Sequence, residues 1–219
     1  MTVRTRQRAS LFYLPYVWQS LPEGAELFGD AYVRNTEGLT EYTVRYFPDV
    51  SGGSHGNPDY ETFVYETYTQ VPEETRAALS PIVSELQSSS LPPIGALLEY
   101  VQNSADYDLN TPAMPEGKDF VTWFLTESNT GYCVHFATAA TVLLRCMGIP
   151  ARYVTGYLCE TEAGTWSNVT QDNAHAWTEY YVSGYGWLRL DATPGEVRPA
   201  EEGNEPEEPE ITATPEREE

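Results

Sequence analysis

The chain has 219 residues, of which 41% are hydrophobic, and it carries a formal net charge of −21 at pH 7. This length allows one hydrophobic core of good size, alone or with a small appendage. The negative charge argues against a nucleic acid partner, because contacts to phosphates need clustered lysine and arginine side chains. No stretch reaches the roughly 18 consecutive apolar residues of a membrane span, and the N-terminus lacks the apolar segment of a signal peptide. The segment is therefore expected to be soluble and to make no membrane contact itself.

Residues 1–70 are predicted to form a strand-rich N-terminal region. Residues 1–10 are polar and are expected to form a loose lead-in. Two runs of aromatic and β-branched residues, 40–47 and 62–68, are typical of strands. The loop between them is rich in glycine and serine and contains His55, which is expected to be solvated.

The hydrophobic period changes after residue 70, and residues 71–195 are predicted to form the main core. Pro72, followed by acidic residues, opens a helix that is predicted to continue to about Leu86. Two further helices are predicted over 94–103 and 119–125, and three strands over 151–159, 174–182 and 186–191. The last residues, 196–219, hold ten Glu, two Arg and four Pro, and are predicted to be a disordered tail or linker.

A helix with one apolar stripe is predicted to begin at Cys133. From that residue, apolar side chains recur at helical spacing as far as Met147, and Gly148 with Pro150 is a stop signal. Cys133 is therefore expected in the first turn of the helix. Unpaired N–H groups and the positive end of the helix dipole favour a thiolate there and can stabilise an oxyanion. The alternative, and the more frequent one for a single cysteine, is a small buried hydrophobic residue.

The chain has three cysteines, which are too few for a disulfide framework. They are Cys133, Cys146 and Cys159, and they contain no C-x-x-C pair. The sequence leaves open whether Cys146 and Cys159 form a single bridge.

A cysteine nucleophile needs a base, and the base needs a third group that holds its ring. His135 lies two residues after Cys133, about 200° around the helix, and is expected to be structural or at the surface. His175 opens the predicted strand 174–182, and Asp191 ends the strand that follows. We interpret these two residues as the base and its orienting group. The alternatives are a hydrogen-bonded core histidine and an aspartate that caps a turn.

The turn between the two strands predicts their register. If His175 faces Asp191, the midpoint of the hairpin is Ser183, beside Gly184 in the evident turn signal. A slip of one residue would place His175 and Asp191 on opposite faces of the sheet. The other pairs in this register are Trp177 with Arg189, Glu179 with Trp187, and Tyr181 with Tyr185.

Four stretches resemble the bacterial transglutaminase-like superfamily in sequence and in order: GYCVHFA at 131–137, RCMGIPARYVTGY at 145–157, NAHAWTE at 173–179 and WLRLDATP at 187–194. The resemblance implies an α+β fold with a papain-like core, in which a central Cys-bearing helix packs on an antiparallel sheet after an N-terminal strand-and-helix region. It also implies a catalytic triad of Cys133, His175 and Asp191. No cofactor is implied, and because the acidic residues lack the spacing of a calcium loop, no metal is implied either.

Residues 11–118 also resemble the region before the core in membrane-anchored bacterial members. In those proteins the domain lies outside the cytoplasm between membrane spans, and an acidic, Pro-rich linker leads to the last span. The resemblance thus implies an extracytoplasmic location, a membrane-anchored parent protein and a protein or peptide substrate.

These features predict thiol-dependent acyl transfer or hydrolysis on protein or peptide amides, through a thioester on Cys133. The Cys133 N–H is one expected oxyanion donor, and Trp123 or an amide of the preceding loop is a candidate for the second. Tyr132, Tyr157 and Trp177 are candidates for the wall of the substrate groove, with core packing as the alternative. The sequence does not distinguish a transferase from a protease or an amidase.

Two other interpretations remain at this point. One is a catalytically silent binding or scaffold module that kept the fold. The other is a zinc site made of Cys133, His135 and His175, which the opposed directions of the first two on one helix disfavour. Arg152 and Glu179 are expected to be a structural ion pair or hydrogen-bond partners.

Overall fold

The computed structural model describes residues 1–15, 18–28, 32–46 and 57–195 of the chain. The helices in these ranges are α1 (Pro58–Tyr68), α2 (Glu73–Gln87), α3 (Pro93–Gln102), α4 (Phe120–Thr126) and α5 (Cys133–Cys146). The strands are β1 (Thr2–Arg4), β2 (Trp18–Ser20), β3 (Ala25–Phe28), β4 (Tyr32–Asn35), β5 (Glu41–Thr43), β6 (Arg45–Tyr46), β7 (Asp106–Tyr107), β8 (Thr130–Gly131), β9 (Ala151–Tyr157), β10 (Ala174–Val182) and β11 (Gly186–Leu190). His55 and the predicted tail, 196–219, lie outside the described residues, so the expectations for both stay predictions.

A three-stranded antiparallel sheet, in the order β11-β10-β9, carries α5 on one face. Gly148, with φ of +78°, ends the helix in the left-handed conformation that glycine adopts without strain. Thr178, in the middle of β10, joins the two elements. Its Oγ1 donates to the carbonyl oxygen of Ala137 at 2.9 Å and lies 3.1 Å from Oγ1 of Thr141. The predicted α+β architecture, with the Cys-bearing helix on an antiparallel sheet, is confirmed.

The remaining sides of α5 are covered by α2, α3 and α4, which lie close to their predicted positions. These helices and α5 share one core, and its largest fully buried side chains are Leu79, Leu97, Phe124, Phe136, Leu143 and Leu144. Burying each such side chain stabilises the fold by roughly 1.5–3 kcal/mol relative to exposure. Among the described residues, no helix is both long enough and apolar enough to cross a membrane.

Residues 62–68, predicted as a strand, lie instead in α1. The side chain of Asn57 caps this helix by accepting from the N–H of Asp59 at 3.0 Å, and Pro58 occupies the first helical position. The aromatic side chains of α1 pack on the face of the sheet opposite α5: Tyr60 and Tyr65 contact Tyr181, and Tyr68 contacts Trp187. The prediction was wrong because the aromatic residues serve this tertiary contact, which overrides their preference for strands.

The described part of residues 1–46 contains short paired strands, one of them within the lead-in expected at 1–10. In the described part, β1 pairs with β5, β2 with β6 and β3 with β4, all antiparallel. The run predicted as a strand over 40–47 is divided at Val44, whose N–H donates to the carbonyl oxygen of Met1 at 2.8 Å. The pairing of β1 also corrects the lead-in expected at 1–10. A small second cluster of buried side chains holds these strands together: Phe12, Val33, Tyr42 and Val44.

Candidate active site

Cys133 is the first residue of α5, as the sequence predicts, and its side chain is half-buried. Tyr132 precedes it in extended conformation, with φ of −130° and ψ of 179°. The first bonds of the helix run from the N–H groups of His135 and Phe136 to the carbonyl oxygen of Tyr132. The N–H groups of Cys133 and Val134 therefore point out of the open end of the helix, where they can act on an anion.

His135 belongs to the aromatic packing around the start of α5. Its Nδ1 accepts from the N–H of Tyr132 at 3.3 Å, and its ring stacks on Phe120 with 5.1 Å between centroids. The side chain is 6% exposed, and burial is the main reason that its pKa lies below the ordinary value. His135 is therefore a buried structural residue and does not lie at the surface. Among the described residues, no group of three or more His, Cys, Asp or Glu side chains could hold a metal ion.

His175 and Asp191 are joined by a hydrogen bond. Nε2 of His175 lies 2.7 Å from Oδ2 of Asp191, and the two side chains are 9% and 12% exposed. Asp191 also accepts from Arg189 Nη2 at 2.9 Å and from the Thr193 N–H at 3.2 Å. Burial opposes ionisation of Asp191, but the hydrogen bonds and charges of these partners hold its pKa well below the usual range. Asp191 is therefore a carboxylate at neutral pH, and Nε2 of His175 carries the proton that it donates to it.

The register between β10 and β11 differs from the predicted one. Glu179 faces Arg189 and Tyr181 faces Trp187, so the hairpin is centred on Gly184 instead of Ser183. Gly184 has φ of +80°, the left-handed conformation that a three-residue hairpin loop needs at one position. Each partner is therefore shifted by two residues, which keeps the same face of the strand. His175 consequently contacts Asp191 along a diagonal and not directly opposite.

Trp177 is buried behind the imidazole. Its ring lies 6.2 Å from that of His175 with 21° between the planes, and Arg189 covers it at 5.5 Å. The indole lies over Gly156, at which an added Cβ would come 2.7 Å from Cη2 of Trp177. Since Trp177 is only 7% exposed, its main contact is with the ring of His175, and it contributes little to an open groove.

The expected ion pair between Arg152 and Glu179 is present, on the face of the sheet that carries Trp177. Nε of Arg152 lies 2.5 Å from Oε2 of Glu179, and the guanidinium also covers the ring of Trp187 at 4.1 Å. The side chains are 18% and 5% exposed, so this is a buried pair. It fixes the pairing of β9 with β10 a few residues from His175.

The beginnings of α5 and β10 lie at one end of the sheet because the two elements run in the same direction. At the other end, Arg145 Nε donates to the carbonyl oxygen of Ala151 at 2.8 Å, and Ala151 pairs with Tyr180 near the end of β10. Cys133, at the start of α5, thus lies toward the start of β10, where His175 is found.

Two further side chains around the candidate site were not predicted from the sequence. Tyr153 of β9 pairs with Thr178; burial is the main reason that the pKa of Tyr153 is raised, and interaction with Cys133 and Tyr132 raises it further. Arg189 bonds Asp191, and a signal for it existed, since residues two apart on a strand share a face. No comparable pattern pointed to Tyr153.

The other candidates occupy varied positions. Tyr157 ends β9, is 43% exposed and contacts Tyr13 of the N-terminal region edge to face at 5.6 Å. Trp123, a candidate oxyanion donor, is 6% exposed and packs in the core shared by the helices. Cys146 is half-buried and Cys159 is exposed, and both are free thiols, so no bridge joins them.

A cysteine at the start of a helix, followed by an antiparallel sheet in which a histidine bonds an aspartate of the next strand, defines the papain-like class of α+β proteins. Residues 78–192, more than half of the chain, match the Transglutaminase-like superfamily. The chain therefore belongs to the transglutaminase-like superfamily.

Two curated relatives support this membership. The chain is 31% identical over 147 residues to the uncharacterized protein YebA of Bacillus subtilis (strain 168), which covers 62% of this chain and 20% of that protein. It is 36% identical over 130 residues to a protein-glutamine gamma-glutamyltransferase of Pseudomonas aeruginosa, covering 57% of this chain and 19% of that protein. The chain thus spans about a fifth of the length of these relatives.

A similar solved structure is the periplasmic domain of TgpA from Pseudomonas aeruginosa. In its form bound to ethylmercury, it has a TM-score of 0.67 and 29% sequence identity, covering 85% of this chain and 69% of that chain. A second structure of the same periplasmic domain has a TM-score of 0.62 at the same identity.

Proposed function

We propose that this domain catalyses thiol-dependent acyl transfer on glutamine carboxamides of proteins or peptides, with Cys133 as nucleophile, His175 as base and Asp191 as orienting group. The observation that carries the proposal is the 2.7 Å hydrogen bond between His175 and Asp191, at the end of the sheet where α5 begins with Cys133. A buried imidazole that is held by a carboxylate is the arrangement a thiol nucleophile needs.

In the first half-reaction, the Cys133 thiol gives its proton to His175, and the resulting Sγ thiolate attacks the carbon of the carboxamide to form a tetrahedral oxyanion. The outward N–H of Cys133 is one donor to that oxyanion. The C–N bond then breaks, and the proton on the imidazole passes to the departing nitrogen, so that ammonia leaves and a thioester remains. Because Nε2 of His175 bonds Asp191, Nδ1 is the nitrogen assigned to this proton exchange.

In the second half-reaction, a primary amine attacks the thioester, His175 accepts its proton, and the thiolate of Cys133 departs. Water in place of the amine gives hydrolysis. The name of the Pseudomonas aeruginosa relative, a protein-glutamine gamma-glutamyltransferase, favours the amine as acceptor. Asp191 keeps the imidazole in one tautomer, and Trp177 limits its rotation through the stacking contact.

Two tyrosine side chains supply walls for a peptide. Tyr132 immediately precedes Cys133 and is half-buried, and Tyr157 is 43% exposed at the last position of β9, opposite Ala174. Tyrosine offers a large apolar face with a polar tip, which suits a peptide groove that stays wet on one side. We assign Tyr132 and Tyr157 to this groove.

We also infer that the domain works outside the cytoplasm as part of a longer, membrane-anchored protein. Two observations support this location: the TgpA domain with a TM-score of 0.67 is periplasmic, and the curated relatives are about five times as long as the matched region. The substrates are then proteins or peptides of that compartment.

The test is incubation of the domain with a glutamine-containing peptide library, with and without a primary amine, followed by mass spectrometry. The expected result is loss of ammonia with amine incorporation, abolished in Cys133→Ala and retained in the matched thiol control Cys146→Ala. Cleavage of the peptides would identify a protease instead. If the parent and Cys133→Ala leave every peptide unchanged, the domain is a silent binding module.

A further inference from the structure

The segment that follows α3 runs beside the nucleophile. β7 pairs in parallel with β8, the strand that leads into Cys133, with Asp106 beside Thr130 and Tyr107 beside Gly131. The Asp108 N–H donates to the carbonyl oxygen of Gly131 at 2.8 Å and extends this register by one step. Leu109 follows in the turn directly after this segment, and α5 begins at Cys133, two residues after Gly131.

This segment presents two apolar side chains to solvent at that place. Leu109 is 72% exposed, the largest fraction for a large hydrophobic side chain among the described residues, and Tyr107 is 47% exposed. The turn that carries Leu109 is braced from within. Oδ1 of Asp108 accepts from the Asn110 N–H at 2.8 Å, and Thr111 Oγ1 donates to the Asp108 carbonyl oxygen at 2.7 Å. Leu109 is therefore held outward in a fixed position, which lowers the entropy cost of binding against it.

We propose that Tyr107 and Leu109 form a specificity-determining wall of the acyl-donor subsite, for a peptide with an apolar side chain next to the reactive glutamine. This inference rests on the proposed function. In that reaction the acyl group is bound at Cys133 through both half-reactions, so side chains on the segment paired with β8, the strand that leads into Cys133, are placed to contact the donor peptide in both. The amine acceptor enters only after ammonia has left. A single exposed hydrophobic residue needs no explanation, but here two lie on the short segment that pairs with β8, just before Cys133.

The test compares kcat/KM for two glutamine peptides that differ only in Leu or Ser next to the glutamine. The parent is expected to prefer the leucine peptide by about tenfold, the effect of burying most of one aliphatic side chain. Leu109→Ser is expected to reduce that preference to about twofold by slowing the leucine peptide alone. Tyr185→Ser is the matched control, since Tyr185 is 67% exposed in the turn at the opposite end of the sheet. It is expected to leave the preference at the parental value.

Three outcomes overturn the inference: two contradict only the subsite wall, and one also contradicts the proposed function. An unchanged preference in Leu109→Ser overturns the wall alone. An equal loss for both peptides in a Leu109→Ser variant with parental thermal stability shows a general role and also overturns it. Failure of the parent to turn over either peptide overturns the proposed function, and the wall falls with it.

Discussion

Gly156 supports the imidazole through the indole that lies on it, and Gly156→Ala tests that contact. An added Cβ would lie 2.7 Å from Cη2 of Trp177, whereas carbon atoms in ordinary contact are about 3.5–4.0 Å apart. The indole must therefore move by roughly 1 Å. Gly156 is not among the glycines with positive φ, so the new methyl group acts by steric contact and not by backbone strain.

The magnitude follows from this overlap. Overpacking of a close-packed site costs about 1–3 kcal/mol of unfolding free energy. For a domain of this size, that cost corresponds to a fall in Tm of roughly 2–12 °C. The indole stacks on His175 at 6.2 Å, so its shift displaces the proposed base. A displacement of that size is expected to lower kcat by about tenfold to a hundredfold.

The assay is urea unfolding together with kcat for amine incorporation. The control is Gly95→Ala in α3, where the added Cβ meets only Pro92 Cδ at 3.9 Å. It is expected to keep kcat and to gain up to about 1 kcal/mol from helix propensity. Trp177→Phe shortens the ring and removes the overlap, so Gly156→Ala should cost less in that background. An equal cost in both backgrounds would contradict a steric overlap between the new methyl group and the indole.

Three further predictions concern the groups around the site. Asp191→Asn is expected to lower kcat by about 10³-fold or more with little change in KM, because the amide cannot stabilise the imidazolium of His175; a matching rise in KM would contradict this. Glu179→Gln leaves the Arg152 charge buried without its carboxylate, and is expected to cost about 3–5 kcal/mol in urea unfolding; a cost under about 1 kcal/mol would contradict it. Burial holds the pKa of His135 below the ordinary value of about 6.5, so its neutral form contributes stability that is fully present above about pH 6.5 and is lost as the pH falls toward the folded-state pKa. Between pH 7.5 and 5.5 the parent should therefore lose more unfolding free energy than His135→Gln, and equal losses would be evidence against a buried neutral imidazole.

The half of the fold that carries the candidate site was open to prediction because its signals are local. The apolar stripe and the glycine stop define α5, and β10 begins and ends at the predicted residues, 174 and 182. The contact between His175 and Asp191 was predicted through a register that proved wrong by two residues. The predicted contact is still present because a register shift of two residues leaves each side chain on the same face of the strand.

The parts that the sequence did not predict depend on partners far along the chain. Trp187 Nε1 donates to the Tyr60 hydroxyl at 2.9 Å, across 127 residues, and such contacts make α1 a helix with a sheet-facing aromatic side. β7 and β8 are two residues each, too short for a period to be recognised. Their pairing, which places Tyr107 beside Gly131 two residues before Cys133, becomes visible only in the fold.

The activation of Cys133 by His175 is tested most directly by the rate of iodoacetamide alkylation at each cysteine, resolved by mass spectrometry at about pH 6. An ordinary thiol, with a pKa of about 8.5, is almost fully protonated there and reacts slowly. Cys133 is expected to react at least about tenfold faster than the exposed thiol of Cys159, and His175→Ala is expected to remove this advantage while Cys159 is unaffected. Equal rates at the two cysteines in the parent, or a fast Cys133 that persists in His175→Ala, would contradict an imidazole-activated nucleophile.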